Sequence, residues 1–234
     1  MNANPEFSAS VVRRIAAATG SPFTVSPNYF ASMSSQDAAV ELSGQLRGVA
    51  VTLLTIANGL LWMNSGPAAD LGEITLPALQ PGSSMMPGKV IRVIPEAVAM
   101  VCARVTRNDT AILMAGASSE FQVNLMQPLV AWNSLSSIGF LSAATRALAD
   151  EAVAGFTVNK MRVADAVRKN QAIVAAQAPR IGYDRCAEIV RDSLATGKTI
   201  EEVARETLGL NSDEVRRLLH PARMTHPGFP DREP

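Results

Sequence analysis

The sequence predicts an all-α chain, a bundle of three long helices followed by a small helical C-terminal domain. Three observations lead there. The stretch from Ser34 to about Met63 carries Val40, Leu46, Val49, Leu53, Leu54, Ile56, Leu60 and Leu61, more than one narrow stripe can hold. A helix apolar around most of its girth is buried on several sides, as inside a bundle. Two further long helical stretches open at Pro95-Glu96 and near Phe121, and from Gly155 onward the segments shorten and charge rises.

The elements follow in order. Phe7 to Thr19 reads as a short amphipathic helix stopped by Gly20 and Pro22, and SPFTVSPNYF is a Pro-punctuated connector. The first long helix has Asp37 near its start, where a negative charge suits the dipole. Gly44, Gly48 and Gly59 interrupt it. Glycine in a helix interior costs up to ~1 kcal/mol, and close approach of a neighbouring helix is the expected reason for three of them. Residues 65–92 form a long irregular connection, in which Leu71, Ile74, Leu76 and Leu79 argue for order. The second long helix runs from Pro95-Glu96 to about Met114, a start that suits both proline and an acid. The third spans about Phe121 to Ala149, with Pro128 expected to kink it. Lys160–Ala176, Tyr183–Ala195, Ile200–Thr207 and Ser212–Leu219 read as short surface helices. The domain boundary is placed near Val153, giving a bundle over 1–153 and a small helical domain with a loose tail over 154–234.

Bulk composition narrows the function. Hydrophobic residues make up 47% of the 234 and charged residues 18%, which suits a packed globular chain rather than a disordered one. The formal charge is zero and aromatics are 5%, so neither a field nor a stacking surface points to nucleic acid. The N-terminus MNANPEFSASVVRR has no signal pattern. The best apolar run, Val49 to Met63, is broken by Asn58-Gly59 and falls short of the ~20 residues of a membrane span. A cytoplasmic location, with no membrane and no nucleic-acid partner, is expected. Cys102 and Cys186 read as buried reduced thiols. The two histidines, His220 and His226, both lie in the tail, and nothing in their spacing indicates a metal. Met85, Met86, Met100, Met114 and Met126 read as core or loop filling, and Trp62 and Trp132 as packing residues. The pairs Arg168-Lys169 and Arg216-Arg217 read as solvated faces.

One loop carries chemistry. PGSSMMPGKV, residues 81–90, combines two glycines, two hydroxyls and a lysine ahead of a helix N-terminus. Free N–H groups and a positive charge suit a carboxylate or phosphate. A nucleotide P-loop does not fit, because five residues separate Gly82 from Gly88, Val90 follows Lys89, and the sequence shows no βαβ unit. A plain Gly/Ser connector is the bland alternative.

GSSMMPGKV closely resembles the GSSxMPGKxNP signature of the fumarase/aspartase superfamily. NPEF, SPNYF, SGPAADLGEITLPALQPGSS, GASSEFQVNLMQPL and IGYDRCAEIV also resemble their counterparts in class II fumarases, so the resemblance covers nearly the whole chain. It implies a long-helix bundle, the central domain of that fold, and the reversible hydration of fumarate to malate by anti addition and elimination. It implies Ser83 as proton-abstracting base, its alkoxide held by backbone N–H groups around Gly82 to Met85 and by positive charge. Glu96 matches the family's glutamate that pairs with a histidine from another segment. Ser84, Lys89, Val90 and Ile91 fall at substrate-binding positions. No metal and no organic cofactor is implied.

Two departures stand out. The family has Asn-Pro where this chain has Ile91-Arg92, and Ile91 offers no side-chain hydrogen bond. Family members are about twice as long, so the first domain and the catalytic histidine would come from a separate N-terminal chain; a homo-oligomer, a tetramer in the family, is the other expected partner. An aspartate ammonia-lyase fragment and a non-catalytic helical oligomerisation module are the alternative readings.

Overall fold

The computed structural model describes residues 3–66, 70–80, 82, 85 and 92–225. The chain divides into two compact units, Met1–Leu61 with Leu76–Gly155, and Trp62–Thr75 with Phe156–Pro234.

The first unit is built from helices joined by irregular segments. Helix α1 (Phe7–Thr19) ends at Gly20, whose left-handed φ of 70° lets its N–H reach the Ala16 carbonyl. Helix α2 (Tyr29–Ser34) is capped by Asn28, whose side chain accepts from the N–H groups of Phe30 and Ala31. Ser35 then turns extended, so α3 begins at Asp37 rather than Ser34 and runs to Met63. Helix α4 spans Val93–Gly116, and α5 spans Gln127–Ala147 and continues as a π-helical turn over Leu148–Val153.

Each long helix buries one stripe at three- and four-residue spacing. On α3 it is Ser43, Ala50, Leu53, Ala57 and Leu60. On α4 it includes Pro95, Val98, Cys102, Val105, Asp109 and Ile112. On α5 it includes Val130, Ser134, Ser137, Leu141 and Ala144. That spacing is the seam of helices packed nearly parallel, side by side.

Polar pairs fasten the seam. Asp109, 7% exposed, accepts hydrogen bonds from Ser43 at 2.7 Å and Arg47 at 2.6 Å, both on α3. Its neighbour Asn108 points to α5 instead, donating to Ser137 at 3.0 Å and to the Asn133 carbonyl at 3.5 Å. The α4–α5 turn is held by buried Asn124, which donates to the Ala115 carbonyl and accepts from the Met126 N–H. Ser119 in the same turn donates to the Ser34 carbonyl.

Several expectations change. Pro128 does not kink α5. It sits in the first turn, where the missing N–H has no partner to lose. Gly44, Gly48 and Gly59 meet nothing within 4 Å among the described residues; close approaches are at Gly116, where an added Cβ would lie 2.7 Å from Val40 Cγ2, and at Gly155, where it would lie 2.8 Å from Pro77 Cγ. Trp62 and Trp132 are 69% and 70% exposed, so among the described residues they do not pack into a core. Met85, Met100 and Met114 are likewise exposed. Finally, α3 as a whole is long and apolar enough to cross a membrane by length and composition, although its longest uninterrupted apolar run is short. Its Ser43 and Arg47 bonds to Asp109 show the use a bundle makes of one side of such a helix.

The second unit has a two-residue antiparallel pair, β1 (Ile74–Thr75) with β2 (Thr157–Val158), Ile74 opposite Val158. Arg162 locks the strand's approach by donating to the carbonyls of Leu71 and Asp70. The expected helix over 160–176 is two, α6 (Lys160–Lys169) and α7 (Ala172–Ala175), because Asn170 turns extended between them. A short α8 (Ala178–Ile181) follows, then α9 (Tyr183–Thr196), α10 (Ile200–Leu208) and α11 (Ser212–Leu218). Capping boxes Thr199/Glu202 and Asn211/Glu214 start α10 and α11. Val174, Cys186, Ile189, Ile200, Val203 and Val215 form the core of this unit.

Candidate functional site

The signature loop is flanked by Leu76 before it and Arg92 after it, both in the first unit. Leu76 is 6% exposed and anchors the entry by burial. Arg92 occupies the N-cap position of α4, and its guanidinium donates a 2.9 Å hydrogen bond to the Leu61 carbonyl. Leu61 lies in the last turn of α3, where carbonyls have no intrahelical donor. A cation there also meets the negative end of the helix dipole. Arg92 thus ties the start of α4 to the end of α3. Sequence reading had no signal for this, because the partners are 31 positions apart and one of them is backbone.

Of the candidate residues, Ser83, Ser84, Lys89, Val90 and Ile91 lie outside the described residues, as does His226. Met85 in the loop is 87% exposed. Glu96 sits in the first turn of α4, exposed to solvent. Its side chain makes no hydrogen bond or ion pair among the described residues. A carboxylate at this place complements the N-terminal dipole of α4 and is free to take a cationic partner from outside.

The thiols are not poised for chemistry. Cys102 is buried in the α4 stripe and Cys186 in the core of the second unit, where it donates to the Val174 carbonyl at 3.2 Å. Burial pushes both thiols above their ordinary pKa, against the thiolate a nucleophile needs. Among the described residues no cluster of three or more His, Cys, Asp or Glu side chains could hold a metal ion.

Known proteins match this chain at both ends. Residues 1–106 match the family described as Lyase, and residues 173–226 match the one described as Fumarase C C-terminus. Fumarate hydratase class II 2 of Pseudomonas aeruginosa is 48% identical over 98% of this chain and 50% of its own length. The crystal structure of a fumarate lyase:delta crystallin from Brucella melitensis superposes with a TM-score of 0.89 at 39% identity, over 97% of this chain and 49% of that one. A recombinant class II fumarase from Schistosoma mansoni gives 0.88 at 29% identity, over 99% of this chain and 51% of that one. The chain spans about half the length of the relatives it matches. With both family matches, near-complete coverage by these relatives and the same helical backbone, the chain belongs to the fumarase/aspartase superfamily.

Proposed function

We propose that this chain supplies the signature-loop portion of a fumarate hydratase-like lyase. The observation that carries the reading is the 48% identity to a class II fumarate hydratase across 98% of the chain, with GSSMMPGK kept in its loop. In the forward elimination, Ser83 as alkoxide removes a proton from the malate carbon beside one carboxylate. The electron pair moves into that carboxylate, giving a dianionic aci-carboxylate. Its collapse forms the double bond, and the hydroxyl on the neighbouring carbon takes a proton from the histidine paired with Glu96 and leaves as water. Backbone N–H groups and Lys89 offset the negative charge, while Ser84, Val90 and Ile91 line the dicarboxylate site. Glu96 holds a histidine contributed by another segment, and a side chain without a hydrogen bond or ion pair among the described residues agrees with that role. The histidine and the remaining substrate contacts come from a separate N-terminal chain, and several copies assemble around the site as in the family's tetramer. Large exposed apolar residues such as Trp132, Leu135 and Met100 support such an assembly. The assembled enzyme works in the cytoplasm and needs no cofactor.

A non-catalytic assembly role is the second reading. Ile91 cannot donate a side-chain hydrogen bond, and Arg92 is engaged by Leu61 rather than free for substrate. One experiment separates the readings. The purified chain is assayed for fumarate consumption by ultraviolet absorbance, alone and mixed with the N-terminal half of the Pseudomonas aeruginosa relative, with and without ammonium. The lyase reading expects turnover in the mixture, abolished by Ser83→Ala. Turnover that requires ammonium would make it an ammonia-lyase. A stable mixed assembly without turnover would establish the non-catalytic role.

A further inference from the structure

The second unit holds a groove of about 890 Å³ that the lyase chemistry does not use. That volume falls within the roughly 300–1,000 Å³ of small-molecule sites. Its floor is apolar. Ile200, Val215 and Ile173 are buried there, and half-buried Val163 adds a wall from α6. Its rim is charged and unbalanced, with Lys160, Arg168, Arg205 and Arg216 set against Glu201 and Glu202.

The two acids are already committed inside the fold. Glu201 pairs with Arg216 at 3.1 Å. Glu202 accepts from both the N–H and the hydroxyl of Thr199, at 2.8 Å each, in the capping box of α10. The three remaining bases are held only loosely, Arg205 by the charge of Glu202 and Arg168 by that of Asp165. Lys160, Arg168 and Arg205 make no side-chain hydrogen bond or ion pair among the described residues. They stand on two helices, α6 and α10, that border the groove.

A purely apolar ligand would leave these cations beside a dry wall, and a cationic one would meet repulsion. A ligand with an apolar body and an anionic head satisfies both parts, the body on the valine and isoleucine floor and the head between the arginines. We propose that this groove is a binding site for a small amphiphilic carboxylate, an aliphatic or aromatic acid too large and too apolar to be the dicarboxylate substrate of the lyase reading. The site stands independently of that reading, because no residue of the signature loop takes part.

Decanoate is the probe, added to the full chain carrying ¹³C-labelled isoleucine, leucine and valine methyls. Decanol and decyltrimethylammonium serve as neutral and cationic controls with the same tail. Decanoate is expected to shift the methyls of Val163, Ile173 and Val215 saturably. The double variant Arg168→Glu/Arg205→Glu should weaken that binding by at least about tenfold, with decanol unaffected. Both positions are exposed, so the exchange leaves the core intact. Ala164→Trp, which fills the groove from α6, is a second variant expected to remove the shifts without touching a charge. Methyls that do not respond to decanoate overturn the proposal. So does decanoate binding that survives the charge reversal, or equal binding of all three amphiphiles.

Discussion

Ser43 on α3 donates a 2.7 Å hydrogen bond to Asp109 on α4, and both residues are buried. Arg47 reaches the other carboxylate oxygen from a side chain that is 53% exposed. The solvated arginine contributes weakly, whereas the buried carboxylate depends on its donors. Asp109→Ala should destabilise the first unit by about 3 kcal/mol, and Arg47→Ala by under ~1 kcal/mol. Urea unfolding followed by far-ultraviolet circular dichroism measures both. Equal losses would mean that the ion pair, not the buried hydrogen bond, dominates.

Ser134 and Ser137 are both buried on α5, three positions apart, and should respond oppositely to truncation. Ser137 accepts from Asn108, so Ser137→Ala strands a buried amide and should cost about 1–3 kcal/mol. The Ser134 hydroxyl has no partner among the described residues, so Ser134→Ala removes an unsatisfied group. It should be neutral or stabilising by up to ~1 kcal/mol. A loss from Ser134→Ala as large as that from Ser137→Ala would show that its hydroxyl is satisfied after all.

Pro128 in the first turn of α5 is compatible with the helix it opens. Pro128→Ala should change stability by less than about 1 kcal/mol. A proline placed mid-helix, Ser136→Pro, should cost ~3 kcal/mol or more. If Pro128→Ala were strongly stabilising, the proline would be straining the helix rather than starting it.

Glu202 gives the second unit an acid-sensitive cap. Hydrogen bonds from the Thr199 N–H and hydroxyl hold its carboxyl below the ordinary glutamate range. The unfolded value is about 4.3, so the cap's contribution is whole above that pH and is lost as pH falls through the lower folded value. Glu202→Gln should flatten the fall in thermal midpoint of the second unit on acidification from pH 5 to pH 3. Parallel midpoint curves for variant and parent would refute this.

Arg92→Met should free the Leu61 carbonyl and loosen the end of α3. The expected cost is about 1–2 kcal/mol, with faster hydrogen exchange confined to residues around 61–65. Arg92→Lys should recover part of it through the dipole alone. Unchanged exchange at the end of α3 would mean the bond is incidental.

Much of the architecture was legible because apolar residues recur over many turns in α3, α4 and α5, a signal that survives any error at the ends; the burial of α3 on several sides was not, since Val49 and Ile56 are exposed and the buried stripe holds Leu53 and Leu60. The ends were less legible. Phe121 was read as helical, yet it sits at a positive φ of 53° in a turn that Asn124 closes, and the pairing of that asparagine with a proline at 128 was the available signal. Strands β1 and β2 have two residues each, too short for any alternation to register. At the candidate site, the Pro-Glu pair signals the start of α4 with Glu96 in its first turn, whereas the role given to Glu96 rests on the resemblance alone. The bond from Arg92 to Leu61 was not found, since a backbone carbonyl leaves no trace in residue identity. The groove beside α6 was invisible for a similar reason, its walls coming from four helices whose mutual placement only the fold supplies.

The adjacency of Asn108 and Asp109 has a consequence for how the first unit assembles. Successive residues on a helix point about 100° apart, so one residue reaches α5 while the next reaches α3. If α4 slipped by a single position, Arg107 would replace Asn108 opposite Ser137, and Asn108 would replace Asp109 opposite Arg47. A guanidinium would then be buried without a counter-charge, and the arginine on α3 would lose its own. Leucine and valine seams tolerate small slips, because one apolar contact substitutes for another. Two unlike polar residues side by side do not, so this pair proofreads the alignment of three helices at once and rejects collapsed states that bury the right amount of surface in the wrong order.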